Sequence, residues 1–165
     1  MISLSARASA VLLLVLSAVI VGGALVSQYV FGLAPCPLCL YQRWAWYATI
    51  ALMLVVLLAG GRAGTEWVLA LSGLFLAANV VLALYHVGVE QHWIQGPTAC
   101  SGDLGPTQTV EQLREQLMGR PMVRCDEAPW RLVGVSLAGW NALASLAVAA
   151  FAFLSFARLR RAGAA

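Results

Sequence analysis

Four cysteines divide into one close pair, Cys36-Pro37-Leu38-Cys39, and two separate members, Cys100 and Cys125. All four lie between long apolar runs rather than inside them. A Cys-x-x-Cys at a membrane surface, with two more cysteines in another such segment, has the makings of thiol–disulfide exchange. Zinc competes for the same residues, since four thiolates suffice for a structural site. The second two are separated by 24 residues, however, rather than forming another close pair. Inert disulfides stapling two loops are a further alternative. Against them, the ring closed by a Cys-x-x-Cys disulfide is small and strained, and such bonds are typically labile and redox-active.

The residues flanking the pair favour reactivity. With Cys36 as the cap of a helix, Pro37 takes the first helical position, where its missing N–H costs nothing. Cys39 then sits in the first turn, where the positive end of the helix favours a thiolate. Arg43 follows by four residues and shares that helix face, about 5–6 Å away. Its guanidinium would support the thiolate and could donate to an acceptor on a small ligand. The alternative for Arg43 is a headgroup anchor at the membrane edge.

The elements that must hold these residues are membrane helices. The chain of 165 residues is 61% hydrophobic and 10% charged, which leaves too little polar surface for a soluble domain. Crossing a bilayer takes about 20 residues. Residues 8–30, 41–60, 67–89 and 132–156 are long and apolar enough. The reading is a single membrane domain over residues 1–165, an all-α bundle of four transmembrane helices. A cleaved signal peptide is disfavoured, because the first apolar core exceeds the roughly 7–15 residues usual for one. Of the two cysteine-bearing loops, 31–40 is short, whereas 90–131 is long, polar and broken by glycine and proline. Within the long loop, residues 109–119 predict a short amphipathic helix lying at the interface, opened by a Thr109/Gln112 capping box.

Basic residues divide equally between the two sides. Arg158, Arg160 and Arg161, directly after the last span, carry the strongest orientation signal. The termini are therefore expected in the cytosol and both cysteine loops in the periplasm, where disulfides persist.

Other conspicuous residues have plainer readings. Asn79, Asn141, Ser72, Ser136 and Ser145 lie within apolar runs and suggest interhelical hydrogen bonds. His86 taken alone reads as a satisfied interfacial histidine, and His92 as a loop residue. Tryptophans and tyrosines at the span ends fit an aromatic belt, and Trp44, Trp46 or Tyr47 are also candidates to line a ligand pocket. A net charge of +3, divided between two membrane faces, gives no case for nucleic acid. Neither a Gly-rich phosphate loop nor a Ser/His/Asp arrangement is present in the sequence.

Over nearly its whole length the chain resembles the disulfide bond formation protein B (DsbB) family of bacterial inner membranes. The resemblance rests on Cys36-Pro37-Leu38-Cys39-Leu40-Tyr41-Gln42-Arg43, on Cys100 and Cys125, and on Cys125-x4-Trp130-x3-Gly134 before the last span. Position 42 is Gln here, where some members of the family carry Glu. The resemblance implies a quinone-dependent thiol oxidase without a catalytic metal. A reduced periplasmic thioredoxin-fold oxidant (DsbA-like) would attack a Cys100–Cys125 disulfide, with Cys100 forming the mixed disulfide. Electrons would then pass to the Cys36–Cys39 pair. Cys39 would face bound ubiquinone or menaquinone, Arg43 would contact the quinone ring, and His86 would contribute to quinone binding. A disulfide-stapled four-helix scaffold without turnover remains the alternative, separable by the response of its disulfides to mild dithiothreitol.

Overall fold

The computed structural model describes residues 5–60, 64–97, 109–111, 114 and 123–163. Four long helices carry the fold: α1 (Ala6–Tyr29), α2 (Pro37–Leu58), α3 (Thr65–Glu90) and α4 (Leu137–Ala162). All four are long and apolar enough to cross a membrane. They pack in sequence order, α1 on α2, α2 on α3 and α3 most extensively on α4, while α4 closes back on α1.

Local chemistry sets where each helix starts. The Ser5 hydroxyl accepts from the Ala8 N–H, and the Ser136 hydroxyl from the Gly139 N–H, so each caps its helix. Cys36 caps α2 through sulfur, with Sγ accepting from the Cys39 N–H at 3.2 Å, and Pro37 follows as the first helical residue. That helix therefore begins four residues before the apolar span 41–60 expected from hydropathy.

The last span differs from expectation for a specific reason. Residues 132–136, expected as the start of a helix, instead form part of a small hairpin. Strand β1 (Arg131–Leu132) pairs antiparallel with β2 (Val135–Ser136). Val133 and Gly134 turn between them with φ of 53° and 78°, the left-handed backbone of a tight hairpin turn. The Trp140 indole donates to the Leu132 carbonyl at 3.2 Å and ties the hairpin to α4. At its other end α4 runs on to Ala162, with Arg160 and Arg161 complementing the negative helix terminus. Arg160 also lies over the Trp67 ring, 5.2 Å from its centroid, so the start of α3 meets the end of α4 in an amphipathic patch. Of the expected interfacial helix 109–119, Val110, Glu111 and Arg114 are helical and Thr109 lies at a bend; its other residues fall outside the described ones.

The interior is built for close helix approach. Leu13, Met53, Leu69 and Leu76 are fully buried beside Ser9, Ser17, Ala83, Ser145 and Ala152. Small side chains let helix backbones near one another where lipid removes the hydrophobic incentive to associate. Large apolar side chains face outward instead, Leu58 at 87% and Val81 at 69% exposure, as lipid-facing positions should. The polar residues of the spans divide. Asn79 donates to the Ser145 hydroxyl at 2.9 Å across α3 and α4, whereas Ser72 turns back to the Val68 carbonyl of its own helix. Because the Asn79 carbonyl has no partner among the described residues, Asn79→Ala should cost only about 0.6 kcal/mol, near the membrane average for such bonds. Unfolding in mixed micelles would read that loss.

Candidate active site: a buried dithiol beside an apolar cavity

The cap geometry of α2 brings the Cys-x-x-Cys sulfurs together. Cys36 and Cys39 are thiols with their Sγ atoms 2.8 Å apart, and Cys36 donates to Cys39. Donation to Cys39, and next its own burial, push the Cys36 thiol well above the ordinary cysteine range. Cys36 thus keeps the shared proton, and Cys39 stands at the positive helix end.

The two sulfurs have different surroundings. Cys39 lines a cavity of about 730 Å³ enclosed by α1, α2, the 31–35 segment and the start of α4. Most of its wall is apolar, including Ile20, Val21, Leu33 and Trp130, and a few polar groups converge there: Gln42, Arg43 and Asn141. Cys36 looks the other way. It is buried in one cluster with Leu38, Val89 and Cys125, against which Cys39 also packs. Cys125 is disulfide-bonded and 1% exposed. Cys100 lies outside the described residues.

Arg43 does not reach toward solvent. One terminal nitrogen donates to Gln28 Oε1 at 2.7 Å and the other to the Ala24 carbonyl at 3.3 Å, both on α1. This holds the guanidinium in the cavity wall rather than leaving it to snorkel. Gln28 was not singled out in the sequence; its one signal was an amide near the end of an apolar run.

His86, grouped with Arg43 by resemblance, occupies a different place. It is absent from the cavity wall. Its Nε2 lies 3.6 Å from Cys36 Sγ and 3.9 Å from Glu90 Oε1, and its Nδ1 lies 2.8 Å from Gln42 Nε2. The ring also donates to the Cys125 backbone. His86 therefore stands between the two cysteine elements, behind the sulfur that does not face the cavity. Gln42 continues to Asn141, whose Nδ2 donates to Gln42 Oε1 at 2.6 Å, and Asn141 Oδ1 accepts from the Trp46 indole at 2.9 Å. Asn141 thus belongs to the site as well as to helix packing. The spacing of Gln42 to Trp46, and of His86 to Glu90, is the i,i+4 signal that could have shown these pairs on one helix face.

The donor atoms of Cys36, Cys39 and His86 all lie within 4.8 Å of one another, so a metal must be considered. Tetrahedral zinc with Zn–S bonds near 2.3 Å holds its sulfurs about 3.8 Å apart. Sulfurs 2.8 Å apart suit a shared proton instead, and a short closure to a disulfide. A quinone fits the cavity better: the wall offers room for a flat ring, apolar surface for a tail, and a guanidinium and amides for ring oxygens.

Comparison with known proteins bears on the same residues. The family described as "Disulfide bond formation protein DsbB" matches residues 6–155. A disulfide bond formation protein B of Aromatoleum aromaticum is 33% identical, covering 94% of this chain and 95% of its own. One of Stutzerimonas stutzeri is 30% identical, covering 81% and 83% respectively. One of Dechloromonas aromatica is 32% identical, covering 89% and 88%. No solved structure matches the chain. With a membrane-spanning bundle, a dithiol set at the end of one helix and a match over nearly its full length, this chain belongs to the DsbB family of disulfide bond formation proteins.

Proposed function

We propose that this protein is a quinone-linked protein thiol oxidase of a bacterial inner membrane, re-forming the disulfide of a periplasmic DsbA-like dithiol oxidase. The supporting observation is the division of the dithiol: Cys39 opens on the apolar cavity while Cys36 is buried in the cluster that contains Cys125. A site that accepts electrons from a protein thiol and gives them to a lipid-soluble acceptor needs such a two-sided pair.

The exchange balances as follows. A thiolate of the reduced partner attacks the Cys100–Cys125 disulfide at Cys100, and Cys125 leaves as thiolate. The partner's second thiol resolves the mixed bond, releasing oxidised partner and freeing Cys100. Cys125 attacks Cys36 of the Cys36–Cys39 disulfide, so that a Cys36–Cys125 bond forms and Cys39 leaves as thiolate. Cys100 then attacks Cys125, restoring that pair and releasing Cys36. Two electrons now rest on Cys36 and Cys39. Ubiquinone or menaquinone bound in the cavity would supply the two-electron, two-proton acceptor, held by Arg43 and the apolar wall. Cys36 and Cys39 return to a disulfide. Arg160 and Arg161 at the end of α4 support cytosolic termini, and with them periplasmic cysteine loops.

The test is anaerobic reduction of added ubiquinone by a reduced DsbA-type protein, with wild type and Cys100→Ser side by side. We expect turnover by the wild type, and neither turnover nor mixed disulfide from Cys100→Ser. If the wild type reduces no quinone and its disulfides withstand mild dithiothreitol, a stapled scaffold replaces the oxidase.

A further inference from the structure

Five side chains from three helices form one continuous hydrogen-bonded chain that ends on the reactive pair. It runs from Trp46 on α2 to Asn141 on α4, back to Gln42 on α2, across to His86 on α3, and on to Cys36. Trp46, Gln42 and His86 are 2%, 5% and 2% exposed, and the bonds from Gln42 to His86 and from His86 to Cys36 are buried.

Most members of such a chain can turn round; an amide can flip and an imidazole can move its proton. An indole cannot, because its nitrogen only donates. That single fact sets every later direction. Trp46 Nε1–H must meet an oxygen, so Asn141 presents Oδ1 to it and its NH₂ to Gln42. Gln42 must then present Oε1 to Asn141 and its NH₂ to His86. Nδ1 of His86, 2.8 Å from that NH₂, must be an acceptor without a proton. The proton of the neutral ring is therefore on Nε2, the nitrogen that faces Cys36. On the other side of the ring, Nε2 lies 3.6 Å from Cys36 Sγ and 3.9 Å from Glu90 Oε1.

We propose that Trp46, acting through Asn141 and Gln42, locks His86 in the Nε2–H tautomer and so makes it a hydrogen-bond donor to Cys36. Trp46, Asn141 and Gln42 are positioning residues, and His86 is the group that touches a reacting atom. The role rests on the thiol oxidase reading. When Cys100 attacks Cys125 of the Cys36–Cys125 disulfide, a Cys100–Cys125 bond forms, the bond to Cys36 breaks, and its electron pair leaves on Cys36 sulfur. A donor aimed at that sulfur stabilises the developing thiolate, whereas a ring nitrogen lone pair in the same place would oppose it. Electrons and protons balance without a further reagent, because His86 lends a hydrogen bond and keeps its proton.

The ring can be read directly. The chain has two histidines, and His92→Asn leaves His86 alone; asparagine tolerates the left-handed backbone at that position. Full-length protein labelled with ¹⁵N-histidine in nanodiscs, without quinone or partner, should show the Nε2–H form almost alone. Trp46→Phe removes the one irreversible donor and should raise the Nδ1–H share. Asn141→Asp should raise it most, since its carboxylate accepts from both Trp46 and Gln42 and turns the Gln42 amide round. In both variants the Cys36–Cys125-linked form should persist about tenfold longer during turnover with a reduced partner. An Nδ1–H ring in the wild type overturns the proposal, as does a wild-type tautomer ratio in both variants. Reversal of the ring with no change in lifetime of the linked form removes the donor role. Because the spectrum needs neither quinone nor partner, failure of the oxidase reading would leave the tautomer result standing.

Discussion

Cys39→Ser should lower quinone reduction by more than about a thousandfold while the protein keeps its fold. The size of the loss follows from what each sulfur faces. Cys39 is the cysteine on the cavity wall, so in the proposed reaction it would be the nucleophile that reaches an acceptor dissolved in lipid. A serine hydroxyl in its place is a poor nucleophile at neutral pH and cannot close a disulfide with Cys36. The backbone need not change, since the cap that starts α2 uses Cys36 Sγ and the Cys39 N–H, not the Cys39 side chain. Cys36→Ser should also stop multiple turnover, but by another route. Serine can still cap α2, and Cys39 keeps its place at the cavity, while the sulfur buried in the cluster with Cys125 is gone. The two variants therefore part in an assay of acceptor reactivity. Alkylation by an apolar maleimide delivered through the bilayer should label Cys39 readily in Cys36→Ser, whereas Cys36 in Cys39→Ser should label at least about tenfold more slowly because it is buried. Equal labelling of the two would mean that the cavity does not distinguish them, and the proposed direction of electron flow would lose its basis.

That division of labour was legible in the sequence only in part. Hydropathy located four spans because a membrane helix must be apolar along its whole length, and no competing signal disturbs that pattern. It misplaced the starts of α2 and α4, because helix starts are decided by caps rather than by hydropathy. Cys36 and Pro37 advance α2 to the cysteine pair, and Val133-Gly134 hold α4 back behind a hairpin. Reading Cys36 as a cap with Pro37 at the first helical position did anticipate the geometry of the pair, since that chemistry is local. What spacing could not show was which residues of different helices meet. His86, Gln42 and Asn141 come from three helices, with Gln42 and Asn141 separated by 99 positions. Each alone reads as a polar residue satisfied somewhere in a bundle. Gln28 likewise acquires meaning only when α1 lies beside Arg43.

Arg43→Leu should raise the KM for quinone by about ten- to a hundredfold, with a smaller fall in kcat. An arginine has five N–H donors. Among the described residues, two terminal nitrogens of Arg43 are engaged, by Gln28 and Ala24, which fixes the plane of the guanidinium within the cavity wall. The remaining donors are left for a ligand oxygen. A hydrogen bond from a charged donor contributes about 1.5–3 kcal/mol, which corresponds to about ten- to a hundredfold in affinity. Leucine restores the apolar wall without the charge, so the effect reads the guanidinium and not a cavity left behind. Arg43→Lys should recover only part of the loss, because a single ammonium cannot bond α1 and a ring oxygen in the same fork. Gln28→Leu tests whether orientation matters apart from charge: the guanidinium remains but one of its two anchors goes, and KM should rise by about threefold. Steady-state kinetics with a water-dispersed short-chain quinone, at saturating reduced partner, would separate these cases. Were Arg43→Leu to leave KM unchanged, the quinone would not sit against this wall, and Arg43 would be an anchor between α1 and α2 instead.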